Sequence, residues 1–273
     1  MAEELKQTLR FFALTYFLSW LFWTPVAVAP EGIAGSPYLM VLYVLGGFGP
    51  SLSAVLYTYR LEGGTGVRKI LGRVVQGHFS FSWYLVSLLL MPLILIGALG
   101  VHLAAGGAMP DSQLLAHPAA IIPTFLIGFF FGGAVSEEFG WRGFALGRLL
   151  KHYSAWKSSL LLGVVWGFWH TPLFLVAGVS QERLSLTPYI INVVLLSFLF
   201  TWLHQNTQGN IMMALLLHAS VNLSYGLIPL LITGDELPVL LVTGVVVVGL
   251  LIAYGPEQLT REGTGSIAAS TPP

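Results

Sequence analysis

The chain has 273 residues, of which 55% are hydrophobic and only 9% are charged. A soluble globular domain carries roughly 25% charged residues, so this composition excludes a surface that faces water on all sides. The same numbers exclude disordered, collagen-like and coiled-coil chains, and they predict no nucleic-acid partner. The sequence has no cysteine, which rules out a disulfide framework, a cysteine nucleophile and cysteine-ligated metal sites.

Apolar stretches of about the length that crosses a membrane, roughly 20 residues, recur along the chain. In order they cover residues 11–29, 38–59, 83–103, 118–135, 158–179, 188–203, 211–232 and 238–254. They predict an all-α, polytopic membrane helix bundle of about eight transmembrane helices, with residues 1–254 as a single domain. The first stretch has no small-residue cleavage site, which predicts a retained span and not a signal peptide. The tail, residues 255–273, is rich in Gly, Ser, Thr and Pro and is predicted to be disordered and cytosolic.

The basic residues predict the orientation of these spans. With eight spans, eleven of the twelve Lys and Arg residues fall on one side of the membrane. These are Lys6, Arg10, Arg60, Arg68, Lys69, Arg73, Arg142, Arg148, Lys151, Lys157 and Arg261. Because cytosolic loops are enriched in basic residues, we expect a multi-pass integral membrane protein with both termini in the cytoplasm.

Two adjacent glutamates follow the fourth apolar stretch. An ionisable residue inside a membrane is a candidate functional residue, because its burial there is costly. Glu138 and Arg142 are four residues apart with the acid first, which favours an ion pair, so we interpret them as structural support. Neighbouring residues point about 100° apart on a helix, which leaves Glu137 unpaired and available for chemistry. In the alternative interpretation, the glutamates only mark the cytosolic end of the span.

Two later spans carry further polar residues. His170 lies in the fifth span, where Pro172 is expected to loosen the helix. His218 and Asn222 lie in the seventh span, four residues apart and therefore on one side of the helix. At 1.5 Å per residue, these groups and Glu137 share a depth of roughly 14–20 Å from the cytosolic face, which predicts one site. The other histidines are expected to be solvated or interfacial, namely His78, His102, His117, His152 and His204.

These residue types support two versions of one reaction. A glutamate and a histidine that face a water form a general-base pair for hydrolysis, and a second histidine with an asparagine amide can donate to an oxyanion. Alternatively, Glu137, His170 and His218 form a His₂Glu zinc set with water as the fourth ligand. Asn222 favours the first version, because asparagine is a poor zinc ligand and a good donor. Both versions predict hydrolysis of a peptide bond by activated water inside the membrane, and the cofactor stays open between zinc and none.

Three motifs occur in order along the second half of the chain. They are Glu-Glu-x-x-x-Arg from Glu137 to Arg142, an aromatic residue four positions before histidine from Trp166 to His170, and His-x-x-x-Asn from His218 to Asn222. They resemble the motifs of the CAAX protease and bacteriocin-processing family, which includes the type II CAAX prenyl endopeptidases. The resemblance covers about residues 120–230, and Trp166 stands where the family usually has Phe.

The resemblance implies a role for each motif residue. Glu137 would be the general base and would act with His170 on the water, while His218 and Asn222 would form the oxyanion hole. Glu138 would support the site together with its arginine. The family has been described both as zinc-dependent and as glutamate-dependent without a metal. The implied partners are membrane lipid and a peptide or protein substrate, including one with a prenylated C-terminus.

Two other function classes are compatible with the sequence. A polytopic transporter or channel with a buried Glu/His proton or cation site would place polar residues along a whole path across the membrane, whereas here they cluster in the cytosolic half. A catalytically silent immunity or chaperone-type member of the family would keep the scaffold without the reaction. The intact set of four polar residues argues against that second alternative.

Overall fold

The structure is a computed structural model that describes residues 2–77 and 79–260, and within these ranges it contains no β-strand. The chain is therefore all-α, as predicted. Its α-helices are α1 (Ala2–Ala27), α2 (Pro37–Gly47), α3 (Gly49–Gly72), α4 (Phe81–Ala104), α5 (Gln113–Ala116), α6 (Ile121–Phe130), α7 (Ala134–Glu138), α8 (Gly147–Leu150), α9 (Ala155–Trp169), α10 (Leu186–Asn206), α11 (Ile211–Leu227) and α12 (Glu236–Tyr254).

Among the residues that the structure describes, five helical segments are long and apolar enough to cross a membrane. They are Phe81–Ala104, Pro118–Leu150, Ala155–Leu175, Leu186–Asn206 and Glu236–Tyr254. The α2–α3 pair, bent by 50°, makes a sixth if it is one span. The apolar helix α11 has only 17 residues, fewer than the about 20 that a straight span needs. The protein is thus a polytopic membrane helix bundle, and the predicted number of eight spans is not confirmed.

The fourth span is irregular where it approaches the two glutamates. Helix α6 ends at Phe130, and Gly133 then adopts φ 125°, a backbone conformation that only glycine takes readily. The chain continues through α7 into a π-helical stretch, Phe139–Leu146, before α8. Wider π-helical turns inside helices occur often at functional sites. The break at Gly133 directs α7 into the interior, where both of its glutamates are buried.

Several basic segments meet at one end of the bundle. The Nζ of Lys151 lies 2.8 Å from a carboxylate oxygen of Glu4. Arg73, after α3, donates to the carbonyl oxygens of Gly209 at 2.6 Å and Gly143 at 2.9 Å. Burial lowers the pKa of Arg73 to about 10, so its guanidinium remains charged at neutral pH. The N-terminus and the loops after α3, α8 and α10 therefore lie at the same end.

The segment after α12 is packed as far as the structure describes it. The backbone N–H of Ala155 donates to the carbonyl of Glu257 at 2.7 Å, and that of Trp156 donates to Pro256 at 3.0 Å. These bonds satisfy N–H groups at the start of α9, which have no partner within their own helix. The predicted disorder of the tail therefore does not extend to residues 255–260. His78, Arg261 and the rest of the predicted tail lie outside the described residues.

Candidate active site

A cavity of about 410 Å³ lies inside the bundle. The four polar residues predicted to form one site, Glu137, His170, His218 and Asn222, all line it. They belong to α7, to the residue after α9, and to α11. Much of the remaining wall is apolar or aromatic, although Ser136, Gln181 and Asn192 also line it, so these four polar side chains share a largely apolar chamber.

Glu137 is buried and is held on one side of its carboxylate. Its Oε2 accepts hydrogen bonds from the indole N–H of Trp141 at 3.1 Å and from that of Trp166 at 2.6 Å. Trp141 lies one helical turn after Glu137, whereas Trp166 comes from α9. Among the described residues, no hydrogen bond reaches Oε1. The carboxylate thus presents one free oxygen.

Gly133 lies directly beside that free oxygen. A Cβ at Gly133 would come within 3.1 Å of the Glu137 Oε1 and within 2.4 Å of the His218 Nε2. The second distance is shorter than any tolerable contact of a carbon with a ring nitrogen. Glycine is therefore required here both by its φ of 125° and by the two side chains that approach its backbone. Oε1 and Nε2 consequently face the same small region of the cavity.

Glu138 does not line the cavity and is fully buried. Its Oε1 accepts from the Nη1 of Arg142 at 2.8 Å, as predicted from the i,i+4 spacing. The same oxygen lies 2.7 Å from the Nδ1 of His218, a contact that the sequence did not predict. The Arg142 guanidinium is also enclosed by the rings of Trp166, at 4.3 Å, and Phe200, at 3.9 Å. The two glutamates therefore face different surroundings.

His170 lies just beyond the end of α9. The helix ends at Trp169, and Pro172 follows within a 3₁₀ turn, in agreement with the expected loosening. The His170 Nδ1 lies 2.9 Å from the carbonyl oxygen of Trp166. Because a carbonyl can only accept, Nδ1 is the donor. The neutral ring then carries its lone pair on Nε2, the nitrogen left for the cavity.

Asn222 lies one helical turn after His218 on α11. Its Nδ2 donates to the carbonyl oxygen of Gly132 at 2.6 Å. An amide nitrogen carries two protons, so this bond leaves one N–H for another acceptor. The bond also ties α11 to the irregular segment that precedes α7.

The predicted zinc set does not fit this arrangement. The described residues contain no group of three His, Asp, Glu or Cys side chains that could hold a metal ion. The prediction of a metalloprotease is therefore not supported.

Of the remaining histidines that the structure describes, His117 is exposed as predicted, whereas His102 and His204 are more buried than the sequence suggested. His102 was expected to be solvated or interfacial, but it is only 8% exposed, and its Nδ1 lies 2.6 Å from Asp235. His152 pairs with Glu4 at 3.1 Å. His204 is 3% exposed, because it is enclosed where α10 meets the loop at Gly209. The prediction was wrong for His102 and His204, which are buried, whereas the partly buried His152 does not contradict it; none of the three lines the cavity.

Trp141 and Trp166 contact Glu137, although the sequence assigned neither of them a role: Trp166 stood out only as the aromatic residue of its motif, and Trp141 did not stand out at all. Trp141 follows Glu137 by four residues, so helical spacing alone could have placed them together. Trp166 is 29 residues from Glu137, and only the packing of α9 against the π-helical stretch brings them into contact. In the sequence, Trp141 is indistinguishable from the tryptophans that anchor membrane helices at the interface, and the motif of Trp166 does not reveal its contact with Glu137.

Comparison with known proteins finds matches over the part of the chain that forms this cavity. The sequence model of the family described as "Type II CAAX prenyl endopeptidase Rce1-like" matches residues 117–224. This range contains all three motifs and all four cavity residues. The chain is also 27% identical, over 159 residues, to CAAX prenyl protease 2 of Methanococcus maripaludis. That alignment covers 55% of this chain and 57% of the relative, a little over half the length of each.

The matched region also includes the segments that build the cavity wall around Glu137, namely α6, α7 and most of α11. With the apolar helices described above, it identifies an integral membrane protein. Over residues 117–224, the chain is similar to the Rce1-like type II CAAX prenyl endopeptidases.

Proposed function

We propose that this protein is an intramembrane endopeptidase that hydrolyses a peptide bond with a water activated by Glu137 and His170. One observation carries the proposal: Glu137, His170, His218 and Asn222 line one largely apolar cavity inside a bundle of membrane helices. Four polar side chains from three separate segments of the chain would be costly at such a place without a function. Their chemistry matches the general base and the oxyanion donors that hydrolysis requires.

The water would lie between the free oxygen of Glu137 and the Nε2 of His170. Proton transfer from the water to this pair accompanies its attack on the scissile carbonyl carbon. The tetrahedral intermediate then collapses as the C–N bond breaks, and the proton passes to the leaving amine. The products are a carboxylic acid and an amine, so the atoms of one water are consumed and the pair returns to its starting state.

His218 and Asn222 are suited to stabilise the oxyanion. Asn222 has one N–H that is not used by Gly132. The His218 Nδ1 faces the Glu138 carboxylate, so its Nε2 can donate only when the ring carries both protons. The Glu138 carboxylate is placed to balance the positive charge of that form. Glu138 and Arg142 would thus act through His218 and not on the substrate.

The proposed substrate is a peptide or protein at the membrane, including one with a prenylated C-terminus. The name of the Methanococcus relative, a CAAX prenyl protease, supports this class. Both termini would face the cytoplasm, since the contacts of Glu4 with Lys151 and of Arg73 with Gly209 gather basic segments at one end. By the positive-inside rule, that end is cytosolic.

The test is cleavage of C-terminal peptides by the purified protein in lipid vesicles. Prenylated and unprenylated versions of each peptide are compared, with and without a strong chelator. We expect cleavage by the wild type, no cleavage by Glu137→Gln, and activity that persists in chelator. Activity that is lost in chelator and restored only by zinc would contradict the metal-free mechanism. Equal cleavage by Glu137→Gln would contradict the assignment of the base.

A further inference from the structure

Trp166 contacts both members of the proposed base pair. Its indole N–H donates to the Glu137 Oε2 at 2.6 Å, and its backbone carbonyl accepts from the His170 Nδ1 at 2.9 Å. The same ring lies over the Arg142 guanidinium, 4.3 Å from its centre. Trp166 is only 4% exposed, so these contacts form away from bulk water. Trp166 therefore contacts Glu137, His170 and Arg142, and Arg142 is the ion-pair partner of the carboxylate that faces His218.

Trp141 supplies a second donor to the same carboxylate oxygen. Its indole N–H lies 3.1 Å from Oε2, and its side chain is fully buried. A carboxylate has two equivalent oxygens that interchange by rotation of its terminal bond, a broad and soft torsion. Two donors on one oxygen remove that freedom and leave the other oxygen free. Hydrogen bonds to an ionised acceptor are roughly twice as strong as neutral ones.

We propose that Trp166 and Trp141 are positioning residues that hold the Glu137 Oε2, so that Oε1 alone faces the water and the scissile bond. This inference rests on the proposed function and assigns the atom that acts as the base. The indole N–H is the essential group, because phenylalanine fills similar space but has no donor. The backbone carbonyl of residue 166 can orient His170 whatever its side chain is. A substitution of Trp166 can therefore remove the hydrogen bond to Glu137 and keep the one to His170.

The simplest alternative is that both tryptophans only fill space in the core. Trp202 provides the matched control for that alternative. It is 7% exposed, and its indole N–H has no hydrogen-bond partner among the described residues. It does not line the cavity. Trp202→Phe therefore removes an indole N–H and some buried ring area without removing a hydrogen bond.

The kinetic test compares Trp166→Phe, Trp141→Phe, the double variant and Trp202→Phe. A hydrogen bond to a charged group contributes about 1.5–3 kcal/mol, so we expect each single variant at the carboxylate to lose about 10- to 100-fold in kcat. KM and the thermal unfolding midpoint should match those of Trp202→Phe. Because both donors serve one oxygen, the losses in the double variant should not simply multiply.

A second measurement does not depend on activity. The protein is labelled with ¹⁵N-tryptophan for NMR spectroscopy. Each indole N–H resonance is assigned by its disappearance in the corresponding single Trp→Phe variant. Glu137→Gln replaces a charged acceptor by a neutral one, so we expect the Trp141 and Trp166 resonances to move while that of Trp202 stays. Unmoved Trp141 and Trp166 resonances would overturn the inference, whether or not any peptide is cleaved.

The two measurements separate this inference from the proposed function. Moved resonances without cleavage of any peptide would leave the indole contacts in place and reject the endopeptidase. Wild-type kcat in both single variants, with Glu137→Gln inactive, would reject the positioning role and keep the base. In a third outcome, Trp166→Phe and Trp141→Phe lose kcat in proportion to their loss of thermal stability. That result would show that the tryptophans only pack the core and would overturn the inference.

Discussion

The imidazole of His218 is hydrogen-bonded to Glu138, the glutamate that does not line the cavity, with 2.7 Å between the Nδ1 of His218 and the Oε1 of Glu138. The same oxygen accepts from Arg142 at 2.8 Å. Glu138 is thus more than the acidic partner of Arg142 in an ion pair, since it also orients a cavity histidine. A carboxylate behind a histidine sets which ring nitrogen carries a proton. The paired glutamates therefore divide into one that faces the cavity and one that acts through His218.

Glu137→Gln should abolish most activity without unfolding the protein. The amide keeps the size of the side chain and can still accept from the indoles, but it cannot take a proton from water. General acid–base catalysis contributes typically about 10²–10⁴-fold, so kcat should fall by at least this factor. The measurement is peptide cleavage together with the thermal unfolding midpoint. Near-normal cleavage by this variant would contradict the proposed role of Glu137.

Glu138→Gln should lower both stability and activity. Breaking a buried ion pair by removing one partner costs about 3–5 kcal/mol, because the other charge is left uncompensated. Here Arg142 is that stranded charge, and His218 loses its carboxylate partner as well. We expect a lower yield in the membrane and a lower unfolding midpoint than for Glu137→Gln. If Glu138→Gln were stable but inactive while Glu137→Gln cleaved normally, the two roles would be interchanged.

Asn222→Ala should reduce kcat by about 10²–10³, the usual effect of removing one oxyanion donor. KM should change little, because the donor acts on charge that develops in the transition state. The substitution also removes the bond to the carbonyl oxygen of Gly132, so the unfolding midpoint must be measured in parallel. Asn222→Asp serves as the control: it keeps the size of the side chain, lacks the N–H donor and should be equally impaired. A variant that only raised KM would indicate a role in binding.

Gly133→Ala should disrupt the site by steric conflict. The new Cβ would lie 2.4 Å from the His218 Nε2, and alanine would be strained at φ 125°. Such strain costs of order 1–3 kcal/mol. Gly147 in α8 is the matched control, because a Cβ there meets nothing within 4 Å. Gly147→Ala should therefore retain activity and stability, whereas Gly133→Ala should lose both.

The orientation can be tested with single-cysteine variants, since the natural chain contains no cysteine. Lys69 and Ala105 are both exposed, and they lie near opposite ends of the bundle, before the end of α3 and after α4. In intact cells, an impermeant maleimide should label Ala105→Cys and not Lys69→Cys. Both should react after the membrane is opened. The reverse pattern would place the basic end outside and overturn the proposed orientation.

The sequence by itself determined the all-α membrane fold, because apolar stretches long enough to cross a bilayer cannot be stable in any other form there. It also determined the local relationships that follow from helical spacing. Glu138 pairs with Arg142 one turn later, and His218 and Asn222 share one side of α11. These relations span four residues and depend only on backbone geometry. The number of spans did not follow, because α1 is not among the helices apolar enough to cross, α2 and α3 are bent by 50°, and α11 has only 17 residues.

Only the tertiary structure decided how the site is held together. The contacts of His218 with Glu138 and of Trp166 with Glu137 join residues 80 and 29 positions apart. They depend on how α7, α9 and α11 pack, and on the turn at Gly133 that directs α7 inward. No periodicity along one helix encodes the rotation of another helix against it. For that reason the sequence could predict which residues meet at the cavity, but not which oxygen of Glu137 is held and which is free.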